Sequence, residues 1–129
     1  MHLLDSNICI GILNGDLQIR QGMKTLGVKV IGLPAVVIGE LAYGAWKSQN
    51  PSRALAKIQD LKGDYPVIGF DEECAVQYGR IRAELQRAGL LIGANDLLIA
   101  ATALAHNSTL VTRNVREFSR VLGLRIETF

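Results

Sequence analysis

Four acidic residues set the chemistry this chain can do. Asp5 closes a short apolar start, Glu40 lies inside a largely apolar helical pattern, Asp96 stands at the mouth of an apolar helix, and Glu117 follows a short β-branched run. A Glu among apolar neighbours carries a desolvation cost unless it is paired or binds a cation. Two carboxylates about 4 Å apart repel by roughly 4 kcal/mol at an effective dielectric near 20. A cluster of four therefore needs cations, protons or a basic partner. Oxygen donors with no accompanying Cys/His set suit Mg²⁺ or Mn²⁺ rather than Zn²⁺. Such an ion lowers the pKa of a water, orients it for in-line attack and neutralises phosphate charge, which is the chemistry of phosphodiester hydrolysis. Arg113, Arg116 and Arg120 flank Glu117 at spacings of three and four, roughly one helical side, where they can hold an RNA backbone. A solvated basic face is the plainer reading of the same arginines.

The elements that must position these groups follow from periodicity. From Leu97 to Ala105 every residue except Thr102 is apolar, which predicts a buried helix with Asp96 in its first turn. The helix dipole favours a carboxylate there, but Asn95 can supply the cap alone, leaving Asp96 free for another task. His2 to Leu4 read as a strand that turns at Asp5 directly into a helix, which puts Asp5 at the carboxyl edge of a sheet, where sites of open α/β sheets form. Residues 28–33 read as a second strand, 35–47 as the helix bearing Glu40 with Trp46 on its apolar side, and 53–62 as an amphipathic helix. Val67, Ile68 and Phe70 suggest a third strand. Asp71-Glu72-Glu73 opens a long helix to Ala88, most simply as dipole complementarity. Residues 109–111 and 124–126 read as the last strands, with a helix between them turning Val115, Phe118, Val121 and Leu122 inward. Alternating strands and helices predict an α/β fold with a parallel sheet flanked by helices.

Composition adds limits. The chain has 129 residues, 49% hydrophobic, enough for one domain with a substantial core. With four acids assigned to one site, eight acids face 14 bases elsewhere, a net +6 that favours a polyanionic partner. Cys9 and Cys74 show no metal-ligand spacing and read as small core residues or inert thiols, and His2 and His106 as unaccompanied. No apolar run is long enough to span a bilayer and no export signal is visible, so the expected location is cytoplasmic.

The order of motifs is itself informative: LLDSN with Asp5, GELAYGA with Glu40, IGANDLLIAA with Asp96 and LVTRNVREF with Glu117, together with GRIRAEL and GLRIETF. This series resembles the VapC-type PIN-domain ribonuclease toxins along the whole of residues 1–129. The resemblance implies a PIN-domain sandwich and an Mg²⁺- or Mn²⁺-dependent endoribonuclease with Asp5, Glu40 and Asp96 as its most characteristic acids. The fourth position departs from the common Asp of the family and offers Asn114 and Glu117; Glu117 is expected as metal ligand or water-orienting group, with Thr112 and Asn114 in support and Ser6 and Asn7 orienting Asp5. It also implies a homodimer, a VapB-like antitoxin that pushes a basic side chain into the acidic site, and an RNA substrate. The most similar members cut initiator tRNA in its anticodon loop. Two other classes compete with this reading. A phosphatase with an aspartyl nucleophile at Asp5 would resemble haloacid-dehalogenase chains, but their D-x-D start is broken here by Asn7. A non-catalytic PIN-like module would hold RNA or protein without cutting.

Overall fold

A computed structural model describes residues 1–27 and 30–129. Among them the elements run β1 (His2–Leu4), α1 (Ser6–Leu13), α2 (Leu17–Leu26), β2 (Ile31–Pro34), α3 (Ala35–Trp46), α4 (Pro51–Asp64), β3 (Val67–Ile68), α5 (Glu72–Ala88), α6 (Ala94–Ala105), β4 (Thr109–Val111), α7 (Val115–Phe118) and β5 (Arg125–Glu127). The strands form one sheet in the order β3-β2-β1-β4-β5, and every pairing is parallel. In the central strand Leu3 aligns with Gly32 on one side and Leu110 on the other. Leu3, Leu4, Leu33, Leu110 and Val111 are fully buried, as strands covered by helices on both faces require.

The chain lays down β2 and β3 on one side of β1, then returns to add β4 and β5 on the other. Strand order therefore reverses between β1 and β4, and the carboxyl ends of these two strands open a crevice. Asp5 leaves β1 there, its N–H still bonded to the Val111 carbonyl at 3.1 Å. Residues 112–117 leave β4 at the same edge.

Local chemistry starts and stops the helices as their caps dictate. Asp5, Asp16, Asn50 and Asp71 each cap a helix through a side-chain oxygen that accepts a backbone N–H three residues on. Gly89 ends α5 with φ 69°, a left-handed residue that a Cβ would strain. A Cβ on Gly11 would lie 2.1 Å from Ile19 Cδ1, so glycine there is what lets α1 and α2 close on each other. Helix α6 differs: its N-cap is Gly93, with no side-chain cap bond, and Asn95 is exposed. The cap expected of Asn95 is absent because the helix begins two residues earlier than that cap implies, at Ala94.

Other boundaries moved as well. Strand β2 is Ile31–Pro34; of the expected strand, residues 28 and 29 lie outside the described residues. Phe70 falls beyond the two-residue β3, and β5 begins one residue later than expected. Trp46 is 67% exposed, at the end of α3 where the helix runs past the core. Helix α7 is a single turn. Phe118 and Val121 are buried as expected, but Val115 and Leu122 are exposed, because the chain abandons helical geometry at Ser119 and turns at Gly123. Among the described residues no helix is long and apolar enough to cross a membrane.

Candidate active site

Asp5 is the most constrained of the four acids. It is 4% exposed, and its carboxylate accepts hydrogen bonds from the Ile8 backbone N–H at 3.0 Å and from the Thr112 hydroxyl. Burial raises its pKa first and foremost, with nearby Glu40 adding to the rise, while the Thr112 hydroxyl and the Ile8 N–H oppose it. The Thr112 hydroxyl accepts in turn from the Asn114 backbone N–H at 2.9 Å, so the end of β4 is tied to the end of β1 across 107 positions of sequence.

The other acids surround this anchor. Glu40, on the second turn of α3, accepts a 2.6 Å hydrogen bond from the Ser6 hydroxyl. Asp96, in the first turn of α6, is pushed up to about 6 by burial, then by the negative charges of Glu117, Glu40 and Asp5, and by a hydrogen bond shared with Glu117. Glu117, in the single turn of α7, also accepts from the Asn114 side-chain amide at 3.3 Å. Asp96 thus feels all three of the other carboxylates, and Asp5 feels Glu40, at the carboxyl edge of β1 and β4. They stand further apart than a closed ligand shell, since among the described residues only a different trio brings its ligand atoms all within 4.8 Å. Mutual repulsion explains the spacing. The donors fit a hard divalent ion: carboxylate oxygens, with hydroxyl and amide groups fixing their orientation and no sulfur or imidazole among them.

Supporting groups differ from expectation in partner. Ser6 orients Glu40 rather than Asp5, because its position on the first turn of α1 faces α3. Asn7 is exposed, and it is its backbone N–H that turns toward Asp5. Asn114 and Thr112 bond within the site as described. The arginines do not share a helical side, since α7 ends before Arg120 and begins after Arg113. Arg113 reaches Asp16 at 3.4 Å and Gln18 at 3.3 Å, Arg120 reaches the Leu91 carbonyl at 3.4 Å, and Arg116 is exposed. Asp16 titrates below the usual carboxylate range, held there first by the Ile19 N–H and then by Arg113.

A cleft of about 670 Å³ opens beside Glu40, between α1, α3 and the start of α6, with Ser6, Asn7, Tyr43, Lys47 and Asn95 on its walls. Tyr43 is 67% exposed and carries Lys47 Nζ 4.7 Å from its ring centroid. An exposed aromatic ring beside a cation is a surface on which an unstacked base and its phosphate can rest.

The PIN-domain sequence profile matches residues 2–124. The chain belongs to the VapC-type PIN-domain family. It is similar to ribonuclease VapC2 of Rickettsia felis, 37% identical over 131 residues that cover 100% of this chain and 98% of the relative. It is 41% identical over 126 residues to the tRNA(fMet)-specific endonuclease VapC of Shigella flexneri, covering 97% of this chain and 95% of that one. Among solved structures, VapBC2 from Rickettsia felis bound to a promoter DNA fragment superposes with a TM-score of 0.93 at 35% identity, covering 99% and 98% of the two chains. This VapC-type chain is accordingly a nuclease by family, and its parallel sheet has the fold of the VapBC structures.

Two features escaped the sequence reading. Asp16 holds Arg113, a contact between the N-cap of α2 and the end of β4 that no local spacing announces. His106 and Cys74 are not solitary either: with Asp71 they bring one ligand atom each within 4.8 Å of the others. His2 bonds Glu127 at 2.9 Å. Cys9 keeps its expected role, buried, with its thiol pushed up to about 12 by burial first and Asp5 second, which makes it inert.

Proposed function

We propose that residues 1–129 act as one PIN domain whose four acids, Asp5, Glu40, Asp96 and Glu117, hold Mg²⁺ or Mn²⁺ and hydrolyse RNA. The chain is an endoribonuclease toxin of the VapC type. The observation that carries the site assignment is the meeting of Asp96 with three other carboxylates, from α7, α3 and the end of β1, whose charges add to the burial that pushes its pKa up to about 6. No structural economy explains bringing four like charges together at a sheet edge; a cationic ligand does.

A bound divalent ion supplies an acidified water and charge neutralisation at the phosphate. The chain's own residues do the rest. Thr112 and the Ile8 N–H fix Asp5 in one orientation, Ser6 fixes Glu40, and the Asn114 amide fixes Glu117. These bonds restrain acids that would otherwise swing apart. Below a pH of about 6, Asp96 keeps its proton and leaves one charge fewer for a cation. Tyr43 and Lys47 line the approach for a splayed base and its phosphate, and Arg116 offers a further phosphate contact.

The substrate proposed is the anticodon loop of initiator tRNA, supported by the likeness to the tRNA(fMet)-specific relative. A VapB-like antitoxin is the proposed inhibitor, its Arg or Lys replacing the cation among the acids, and the chain works as a cytoplasmic homodimer. The deciding experiment incubates purified tRNA with the protein under Mg²⁺, Mn²⁺ or chelator, with Asp96→Asn in parallel. Discrete cuts that need both the ion and Asp96 support the reading. Intact RNA with folded, antitoxin-free protein overturns catalysis in favour of a binding module.

A further inference from the structure

We propose a second cation site, for Zn²⁺ or a similar borderline-soft divalent ion, formed by Asp71, Cys74 and His106 at the far end of α6 from the acids. Asp71 is the N-cap of α5 and Cys74 lies on its first turn; His106 is the C-cap of α6. One ligand atom from each lies within 4.8 Å of the other two. Ligand atoms on a tetrahedral Zn²⁺ sit about 3.3–3.7 Å apart, given Zn–S near 2.3 Å and Zn–N or Zn–O near 2.0–2.2 Å. Closing the trio therefore takes side-chain movement of about 1 Å, without moving either helix.

The donor types make a set. A carboxylate, a thiol and an imidazole together are the ligands of zinc rather than of Mg²⁺. An independent observation points the same way: His106 Nε2 is buried and, among the described residues, has no hydrogen-bond partner. A buried ring nitrogen without a partner forfeits its water for nothing. The Asp71 carboxylate accepts from the Cys74 N–H at 3.0 Å through Oδ1 and also meets the Cys74 thiol, whose proton a cation would displace. The Cys74 thiol is buried, with Gly69 O 3.8 Å from Sγ, and burial holds its pKa above the usual value. Binding therefore releases a proton and tightens as pH rises.

The site lies outside the nuclease reading. Asp96 and His106 are ten positions apart on α6, about 15 Å along the axis at 1.5 Å per residue. An ion here pins the start of α5 to the end of α6, and its role is structural.

The test uses the full chain, stripped with chelator and titrated with Co²⁺ as a spectroscopic probe and then Zn²⁺. Expected are one equivalent that gives thiolate-to-metal charge-transfer absorption, counted apart from any ion taken by the four acids, and a Tm raised by about 5–10 °C with Zn²⁺ at ~100 times Kd. Asp71→Asn keeps the cap oxygen and removes the charge, so it should fold normally and bind at least tenfold more weakly. His106→Ala should lose the absorption, and Asp5→Asn should keep it. Absence of the thiolate band in folded protein overturns the proposal. So does binding that survives Asp71→Asn and His106→Ala unchanged, or that is lost in Asp5→Asn.

Discussion

The two ends of α6 make opposite use of the same helix. At its N-terminal end Asp96 meets three more carboxylates, all hard oxygen donors, spaced by their own repulsion and restrained by Ser6, Thr112 and Asn114. At its C-terminal end His106 meets one carboxylate and one thiol, mixed donors that stand closer together and carry little net charge. A crowd of like charges is unstable without a partner and therefore poised to take one up and let it go. A compact mixed set is tolerable without an ion and would hold it tightly. On the two proposals, the difference is that between a site that turns over and one that staples.

Removing one acid tests the first half of this contrast most severely. Asp96→Asn should cut RNA cleavage by ~10²–10³-fold or more while the metal-free protein melts at the same temperature or higher, because repulsion is relieved. Single-turnover cleavage and calorimetry on the same sample check both; a large drop in Tm would mean that Asp96 serves the helix and not the cluster.

The next effect concerns pH. The folded-state pKa of Asp96 is raised from 3.8 to about 6, so the native state binds the extra proton in that interval and the unfolded state does not. Stability of the metal-free chain should therefore be greatest below about 3.8, as far as this one group contributes, and fall as pH rises through 6. Cleavage should run the other way, rising through the same range as the acids become free for the cation. In Asp96→Asn the stability slope should flatten. A slope unchanged by the mutation would remove the electrostatic half of the comparison.

Thr112→Val tests restraint rather than charge. It deletes the hydroxyl that holds Asp5 and should weaken Mg²⁺ dependence by ~10–100-fold, measured as the ion concentration for half-maximal cleavage. The smallest effect should come from Arg116→Ala, which should lower the salt slope of RNA binding by about 0.7, the contribution of one contact to a single strand. Arg113→Ala should lower it less, since Arg113 is already engaged by Asp16. Asp71→Asn should leave the slope alone.

What the sequence made legible was local. A strand ending at Asp5, an apolar helix opening at Asp96 and an acid just past β4 are all read from neighbours within a few residues, and the parallel sheet follows from their alternation. What it hid depends on distant pairing. Ser6 finds Glu40 across 34 positions, and Arg113 finds Asp16 across 97. The His106 trio leaves only an i, i+3 trace, Asp71 and Cys74, with its third member on another helix. The arginine face failed for a different reason. Helical spacing was extended over residues 113–122, whereas helical geometry holds for only the four residues of α7 before the turn toward Gly123.

The bond between Thr112 and Asp5 joins residues 107 positions apart in the chain. Pairing of β1 with β4 is non-local and requires the long loop between them to be closed against its entropy. A nascent chain still lacking residue 112 presents Asp5 with no hydroxyl to hold it, and one lacking residue 117 has three acids instead of four. On the proposed function, the nuclease edge is therefore completed only when β4 and the turn after it have joined β1.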